Sequence, residues 1–333
     1  MSATRWRDVD LNVIGPQRPD EPVLARRVRF HQSWYRAAVL GLPSFGVTAG
    51  RAPRALGSIL TDADAVAGHN FTSEASQRLY QRRRAAGWGV DPVRCTKYLT
   101  SSQTLTLNLL GTMQESPRWA ARALGLLLDR PDLERITGVW VEYAPRRRSE
   151  YLNDMTRIDA LVQVRTRSGD ELVAIETKYA DRFNSRRVDI DKRPYRELAA
   201  RVGVWNDPDA VFGAPQLNQL VRCHALGVAV TEDLLGRAVV PHLLVVHHRD
   251  DLSSRILVDD YADHLADSDL VDARTLDQLV DALTHTAASP GQRRIARALE
   301  LRYVAQAESE AAWLASGDRS LRGGKVSGPG STR

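Results

Sequence analysis

The stretch from Arg157 to Asp181, RIDALVQVRTRSGDELVAIETKYAD, constrains the fold more than any other. Two runs rich in Val, Ile, Leu and Ala flank the polar tetrapeptide Arg167-Ser168-Gly169-Asp170, the pattern of a β-hairpin. The second run contains LVAI, apolar at consecutive positions, which predicts a central strand covered on both faces. Yet Asp159, Glu176 and Lys178 lie inside these runs. Charges in an apolar sheet are costly unless they are paired or bound. Side chains alternate along a strand, so Glu176 and Lys178 share one face, with the Thr177 carbonyl between them. The hairpin turns Asp159 back towards them. Two carboxylates, a carbonyl and an ammonium are thus expected to meet at one edge of the sheet.

Such a set has a chemical use. Carboxylate and carbonyl oxygens are hard ligands suited to Mg²⁺, with Mn²⁺ an expected substitute. A bound Mg²⁺ polarises a phosphate and helps to generate hydroxide from water. A lysine beside it can orient or deprotonate that water, or offset developing charge. The expected product is a device for phosphodiester hydrolysis. The plain alternative is a solvated Glu–Lys ion pair on a strand face.

The rest of the chain frames this hairpin. Residues 1–21 read as an extended arm and 41–72 as loop. Helical periodicity marks 22–41, 73–89, 101–114 and 116–131, the last opening with Ser-Pro. The pattern turns to strand at Ile136, in ITGVWVEYAP. Helices are expected again over 194–203 and 214–230, a buried strand in PHLLVVHH, and helices over 273–287 and 291–316. The expected architecture is α/β, a mixed sheet covered by helices. Its divisions are an N-terminal arm and helical region (1–97), a core (98–250), a C-terminal helical extension (251–316) and a disordered tail (317–333). With 43% hydrophobic and 26% charged residues the composition is that of a soluble globular chain. Cys95 and Cys223 have no CxxC spacing, which excludes a cysteine zinc site and suits a reducing compartment. No leader and no apolar run of membrane-spanning length is present, so a cytoplasmic protein without a membrane partner is expected. The net charge of +5 permits a polyanionic partner.

Asp159 followed by Glu176-Thr177-Lys178 resembles the PD-(D/E)xK nuclease superfamily, the restriction-endonuclease-like fold. SSQTLTLNLL, VEYAPRR, IDALV, IETKYAD and QLNQLVRCHAL also occur in the order seen in a bacterial restriction-endonuclease-like family within it. The resemblance covers roughly Tyr98 to His248. It implies a core of helix, three-stranded meander, helix and strand, and Mg²⁺-dependent cleavage of DNA, with a restriction or defence role. By position Asp159, Glu176 and the Thr177 carbonyl would hold the metal, and Lys178 would be the catalytic lysine. Arg157-Ile158 stands where the motif has its proline, a departure many members share. A non-cleaving nucleic-acid-binding protein on the same fold is the alternative.

Further residues join the candidate site. Glu142 ends the preceding strand, as an added metal ligand, a partner of Lys178, or an edge ion pair with Arg146, Arg147 or Arg148. By the same resemblance a glutamine on the helix after the ExK strand faces the site; Gln216 is favoured, with Gln219 on the same face. Ser102, Gln103 and Asn108 belong to the first family-like block. Arg182, Arg186, Arg187, Lys192, Arg193, Arg196 and Arg201 form a basic segment after the ExK strand, the first five as candidate phosphate contacts, and Arg222 could reach a phosphate. QRRR at 81–84 reads as an exposed helix face. His242, His247 and His248 read as strand-end residues, not ligands. One site per chain favours a homodimer if both strands of a duplex are cut.

Overall fold

The two charged strands form the expected hairpin in the computed structural model, which describes residues 9–320 apart from 88, 181–182 and 184–187. The sheet comprises β1 (Leu133–Tyr143), β2 (Ile158–Thr166), β3 (Gly169–Lys178), β4 (His242–His247) and β5 (Val271–Thr275), in the order β1-β2-β3-β4-β5. The first three strands are an antiparallel meander, and β4 and β5 add in parallel. Thr166 pairs with Gly169 across a two-residue turn. Gly169 has φ +137°, a backbone region that favours glycine.

Before β1 lie α1 (Leu11–Ile14), α2 (Val23–Trp34), α3 (Asp62–Val66), α4 (Glu74–Ala85), α5 (Pro92–Lys97), α6 (Ser102–Glu115) and α7 (Pro117–Leu127). Between β3 and β4 come α8 (Arg193–Val202), α9 (Pro208–Gly213) and α10 (Asn218–Leu235), and α11 (Leu252–Ala262) precedes β5. The chain continues through α12 (Leu276–Thr286), α13 (Pro290–Tyr303) and α14 (Glu310–Ser320). Ser73 and Ser101 cap α4 and α6 by accepting from the amides of Ser76 and Thr104. Among the described residues no helix is long and apolar enough to cross a membrane.

Both faces of the hairpin are buried, as its apolar runs require. Ala160, Val162, Val164, Val173 and Ile175 pack with residues of α6, α7 and α12. Leu161, Leu172 and Ala174 pack with residues of α8, α10 and α11. Each fully buried Val, Leu or Ile contributes about 1.5–3 kcal/mol. The result is three layers, helix–sheet–helix. Gly111 lets α6 lie against α4, because an added Cβ would sit 2.5 Å from the Ser76 backbone.

Several expectations need correction. The arm contains α1, whose Ile14 is buried. Strand β5 lies where the helix over 273–287 was expected to begin, so the sheet has five strands. The helix over 291–316 is broken between Tyr303 and Glu310. Arg27 donates to the Gln306 carbonyl there (2.5 Å), and His31 Nδ1 lies 3.0 Å from Ser309 Oγ. Helix α14 runs on through 317–320, so the backbone there is helical; residues 321–333 lie outside the described residues.

One buried side chain ties the start of the 41–72 loop to α1. Arg36 is fully buried and donates to the carbonyls of Gly57 (2.8 Å), Ser44 (2.8 Å), Ile14 (3.2 Å), Leu42 and Val13. Burial pulls its pKa down to about 10, so it stays charged at neutral pH. Arg36→Met keeps the apolar stem and leaves these carbonyls without their donor. The expected cost is about 3–5 kcal/mol, read as a lower denaturation midpoint. An unchanged midpoint would show that water replaces the guanidinium.

Candidate active site

Pairing of Ala160 with Ile175 brings Asp159 beside the end of β3. Asp159 Oδ2 accepts from the Thr177 amide (2.9 Å) and the Thr177 hydroxyl (3.1 Å). On the α10 side, Lys178 Nζ donates to Glu176 Oε1 (2.7 Å), the two residues being 7% and 2% exposed. Lys178 Nζ also lies 4.6 Å from the ring centre of Phe183. Helix α10 meets Glu176 from above: Gln219 Nε2 donates to Oε1 (2.5 Å) and Cys223 Sγ to Oε2 (3.5 Å). Gln219 and Cys223 are four apart, one turn of helix, and so project together.

Glu142 completes the cluster by an irregularity of backbone. Its φ is +49°, a left-handed conformation uncommon for a residue with a side chain. Arg83 of α4 donates to the carbonyls of Val141 (2.7 Å) and Glu142 (3.0 Å) on either side of the kink. The Glu142 carboxylate is 6% exposed; its Oε1 accepts from Gln103 Nε2 of α6 (2.7 Å). Arg157 Nη1 stands 3.6 Å from its Oε2. Gln103 and Arg157 both donate to the Gly89 carbonyl as well, at 3.1 and 2.8 Å.

These groups perturb one another. Burial, then Glu176, then Glu142 push the Asp159 carboxyl well above the usual carboxylate range. Burial pushes Glu142 up to about 7; Gln103 and Arg157 pull it down, and Glu176 pushes it further up. For Lys178 burial pulls the pKa down, but Glu176, Asp159 and the bond to Glu176 outweigh it, and the net direction is up. The lysine is therefore an ammonium at neutral pH, while the Asp159 and Glu142 carboxyls are prone to hold protons.

Asp159, Glu176, Thr177, Lys178, Glu142 and Gln103 thus come together as a group. Gln216 does not join them. It is exposed in the 3₁₀ turn Pro215–Leu217 that precedes α10, and Gln219 takes the place beside Glu176. Glu142 pairs with Arg157, while Arg147 pairs with Glu150. Arg222 is held by Asp154 in a two-pronged ion pair that Tyr195 joins, its hydroxyl donating to Asp154 at 2.9 Å. Lys192 is exposed at the start of α8, and Arg193 pairs with Glu197. Arg182, Arg186 and Arg187 lie outside the described residues. Ser102 sits at the start of α6. Asn108 lies behind the site, donating to Asn70 O and the Tyr303 hydroxyl. His242 stands 3.1 Å from Asp272, His247 bonds the His248 carbonyl, and burial pulls His248 down to about 4.

Sequence reasoning missed Cys223, Arg157, Arg83 and Thr106, whose hydroxyl is 2.7 Å from that of Thr177. Helical spacing was the available signal for two of them. Cys223 is one turn on from Gln219, and Thr106 one turn on from Gln103.

Among the described residues no three His, Cys, Asp or Glu side chains form a ready-made metal cluster. The donor set nevertheless fits one hard divalent cation. Asp159 Oδ1 has no donor among the described residues, and Glu176 Oε2 meets only the weak Cys223 thiol. Mutual repulsion among Asp159, Glu176 and Glu142 is what a cation would relieve. The Thr177 amide and hydroxyl are donors, and orient Asp159.

A family model described as the PD-(D/E)XK nuclease superfamily matches residues 19–305. No curated protein and no solved structure matches the chain.

Proposed function

The chain belongs to the PD-(D/E)XK nuclease superfamily, and we propose that it is a divalent-metal-dependent endonuclease hydrolysing DNA phosphodiester bonds. The observation that carries this reading is the buried Glu176–Lys178 pair beside Asp159 at the open end of the meander. A restriction or defence role in the cytoplasm rests on the order of sequence blocks shared with the bacterial family.

When bound, Mg²⁺ or Mn²⁺ supplies polarisation of the scissile phosphate and a more acidic water. Asp159 Oδ1 and Glu176 Oε2 are the oxygens that would hold it. Thr177 fixes Asp159 through two donors, and Gln219 and Cys223 fix Glu176. Lys178, charged throughout, orients the attacking water and stabilises negative charge as it grows on the phosphate. Its raised pKa argues against a role as general base. Water's oxygen bonds to phosphorus, the bond to the 3′ oxygen breaks, and the proton passes to that leaving oxygen. The products are a 5′-phosphate and a 3′-hydroxyl.

The test is incubation with supercoiled plasmid and Mg²⁺ or Mn²⁺. Nicking or linearisation that EDTA abolishes is expected, and an inert plasmid across both ions would sink the reading.

Two further outcomes are expected. Glu142 near pH 7 and the raised Asp159 hold protons that a cation displaces. Metal affinity should therefore rise from pH 6 to 8, with proton release on binding visible as buffer-dependent heat in calorimetry. Pure Coulomb attraction without linkage would give a flat profile. Separately, Gln219→Leu removes the donor that orients Glu176 and should lower metal affinity or turnover about 10–100-fold. Gln216→Ala should leave both unchanged. The reverse pattern would place the wrong glutamine at the site.

A further inference from the structure

A thiol stands inside the carboxylate cluster. Cys223 is 1% exposed, and its Sγ lies 3.5 Å from Glu176 Oε2 and 3.9 Å from the Arg157 carbonyl. A thiol is a weak hydrogen-bond donor. If orienting Glu176 were the whole requirement, a serine at this turn of α10 would donate better. The spacing suits a second use. Bonds of about 2.3 Å to sulfur and about 2.1 Å to oxygen put two donors of one tetrahedral ion about 3.6 Å apart. Glu176, itself 2% exposed, offers Oε2 to this thiol alone among the described residues, and Asp159 Oδ1 has no donor there. The other cysteine differs. Cys95 Sγ also has an oxygen at 3.5 Å, but it belongs to the uncharged amide of Gln103.

We propose that Asp159, Glu176 and Cys223 together form a site for a thiophilic divalent cation, Zn²⁺ or Cd²⁺, which displaces Mg²⁺ and arrests cleavage. The inference rests on the nuclease reading in one respect, that Asp159 and Glu176 are the metal ligands. Hard Mg²⁺ gains nothing from sulfur and leaves the S–H donating to Glu176. A softer ion forms a bond to Sγ, and the S–H proton leaves to solvent; nothing is oxidised or reduced. The absence of a CxxC pair excludes a cysteine-rich zinc site, but not one sulfur among carboxylates. No three such side chains stand ready among the described residues. Glu176 and Cys223 are the pair already at ligand spacing, and Asp159, near enough to act on the thiol electrostatically, joins them when the ion binds. Octahedral Mg²⁺ held by two carboxylates keeps most of its positions for water and phosphate. A tetrahedral ion held by three side chains keeps only one, too few for an attacking water and the phosphate together.

The experiment titrates Co²⁺, a spectroscopic stand-in for Zn²⁺, into the full chain and reads absorbance. A sulfur-to-cobalt charge-transfer band in the near ultraviolet should grow to one ion per chain, vanish in Cys223→Ser and persist in Cys95→Ser; Cys223→Ala serves if Cys223→Ser fails to fold. Zn²⁺ should release bound Mn²⁺, seen as the return of the free Mn²⁺ paramagnetic resonance signal, and should stop Mg²⁺-dependent nicking of plasmid. In Cys223→Ser the affinity for Zn²⁺ should fall about 100-fold more than that for Mn²⁺, whereas loss of an outer partner costs both ions alike, about 10–100-fold. A Co²⁺ complex without the band, a band that survives Cys223→Ser, or Zn²⁺ that binds without displacing Mn²⁺ overturns the proposal and leaves the nuclease reading standing. A chain that binds none of these ions overturns both. A chain that shows the band but cuts plasmid with no divalent ion would sink the nuclease reading and leave the sulfur ligand assigned.

Discussion

Replacing Lys178 by alanine is expected to lower metal-dependent cleavage by about 10²–10³-fold, with substrate binding changed far less. The ammonium is buried, and a buried charge that carries no transition-state role would be an expense the fold could avoid with a neutral residue. It is kept charged because Glu176 and Asp159 outweigh its burial. In the proposed mechanism that charge lies where negative charge develops on the phosphate, so its loss should be felt mainly in turnover. Lys178→Arg should not restore the rate, because a planar guanidinium cannot occupy the place of a compact ammonium between Glu176 and the Phe183 ring. Raising the pH should not rescue Lys178→Ala either, since the lysine is not the group that takes the proton. Wild-type cleavage by a folded Lys178→Ala protein would remove the central residue from the mechanism.

The centre of the site was legible because it depends on two short-range rules. Alternation along β3 places Glu176 with Lys178, and a two-residue turn fixes the register that returns Asp159 to them. Glu142 was legible by position only. Its arrival depends on the left-handed kink that Arg83 braces from another helix, and no strand pattern encodes that. Gln216 and Gln219 share a helical spacing in the sequence, but the turn Pro215–Leu217 is 3₁₀ and α10 begins only at Asn218, which moves Gln216 off its face. Strand β5 reads VDART and presents little apolar alternation, because it is a short edge strand. Arg222 shows the limit of charge reading: a basic residue facing the site region can be wholly occupied, here by a buried aspartate.

The outer segments matter to the same site in a way that local pattern conceals. Tyr179, next to Lys178, is buried and accepts from Gln32 of α2 (2.6 Å). Its ring meets Tyr303 of α13 edge-on at 5.3 Å, and Tyr303 in turn accepts from Asn108 of α6. Helices from both ends of the chain therefore fix the end of β3. The family match over 19–305 extends well beyond the 98–248 stretch that carries the sequence blocks, and the Tyr179 clamp supplies a physical reason for that extent.

Neutral isosteres at the two raised carboxyls should move stability and activity in opposite directions. Unfolded, Glu142 titrates near 4.5; folded, it titrates near 7. The folded chain thus keeps a proton that the unfolded chain has released, and the stability this group contributes at low pH is lost as pH rises through that window. At pH 8 the difference is on the order of 3 kcal/mol. Glu142→Gln removes the penalty, so it should raise the denaturation midpoint of the metal-free protein at pH 8 and leave it nearly unchanged at pH 4. Asp159→Asn should do the same in direction. Its amide oxygen can still accept from Thr177, while its NH₂ group places a donor where Asp159 Oδ1 stood. That donor opposes a cation, so Mn²⁺ binding and cleavage should be lost together in a protein more stable than wild type without metal. Sites that function through gathered like charge carry this trade. A metal-free Asp159→Asn protein less stable than wild type at pH 8, or one that still binds Mn²⁺, would show that Asp159 is a structural residue and not a ligand.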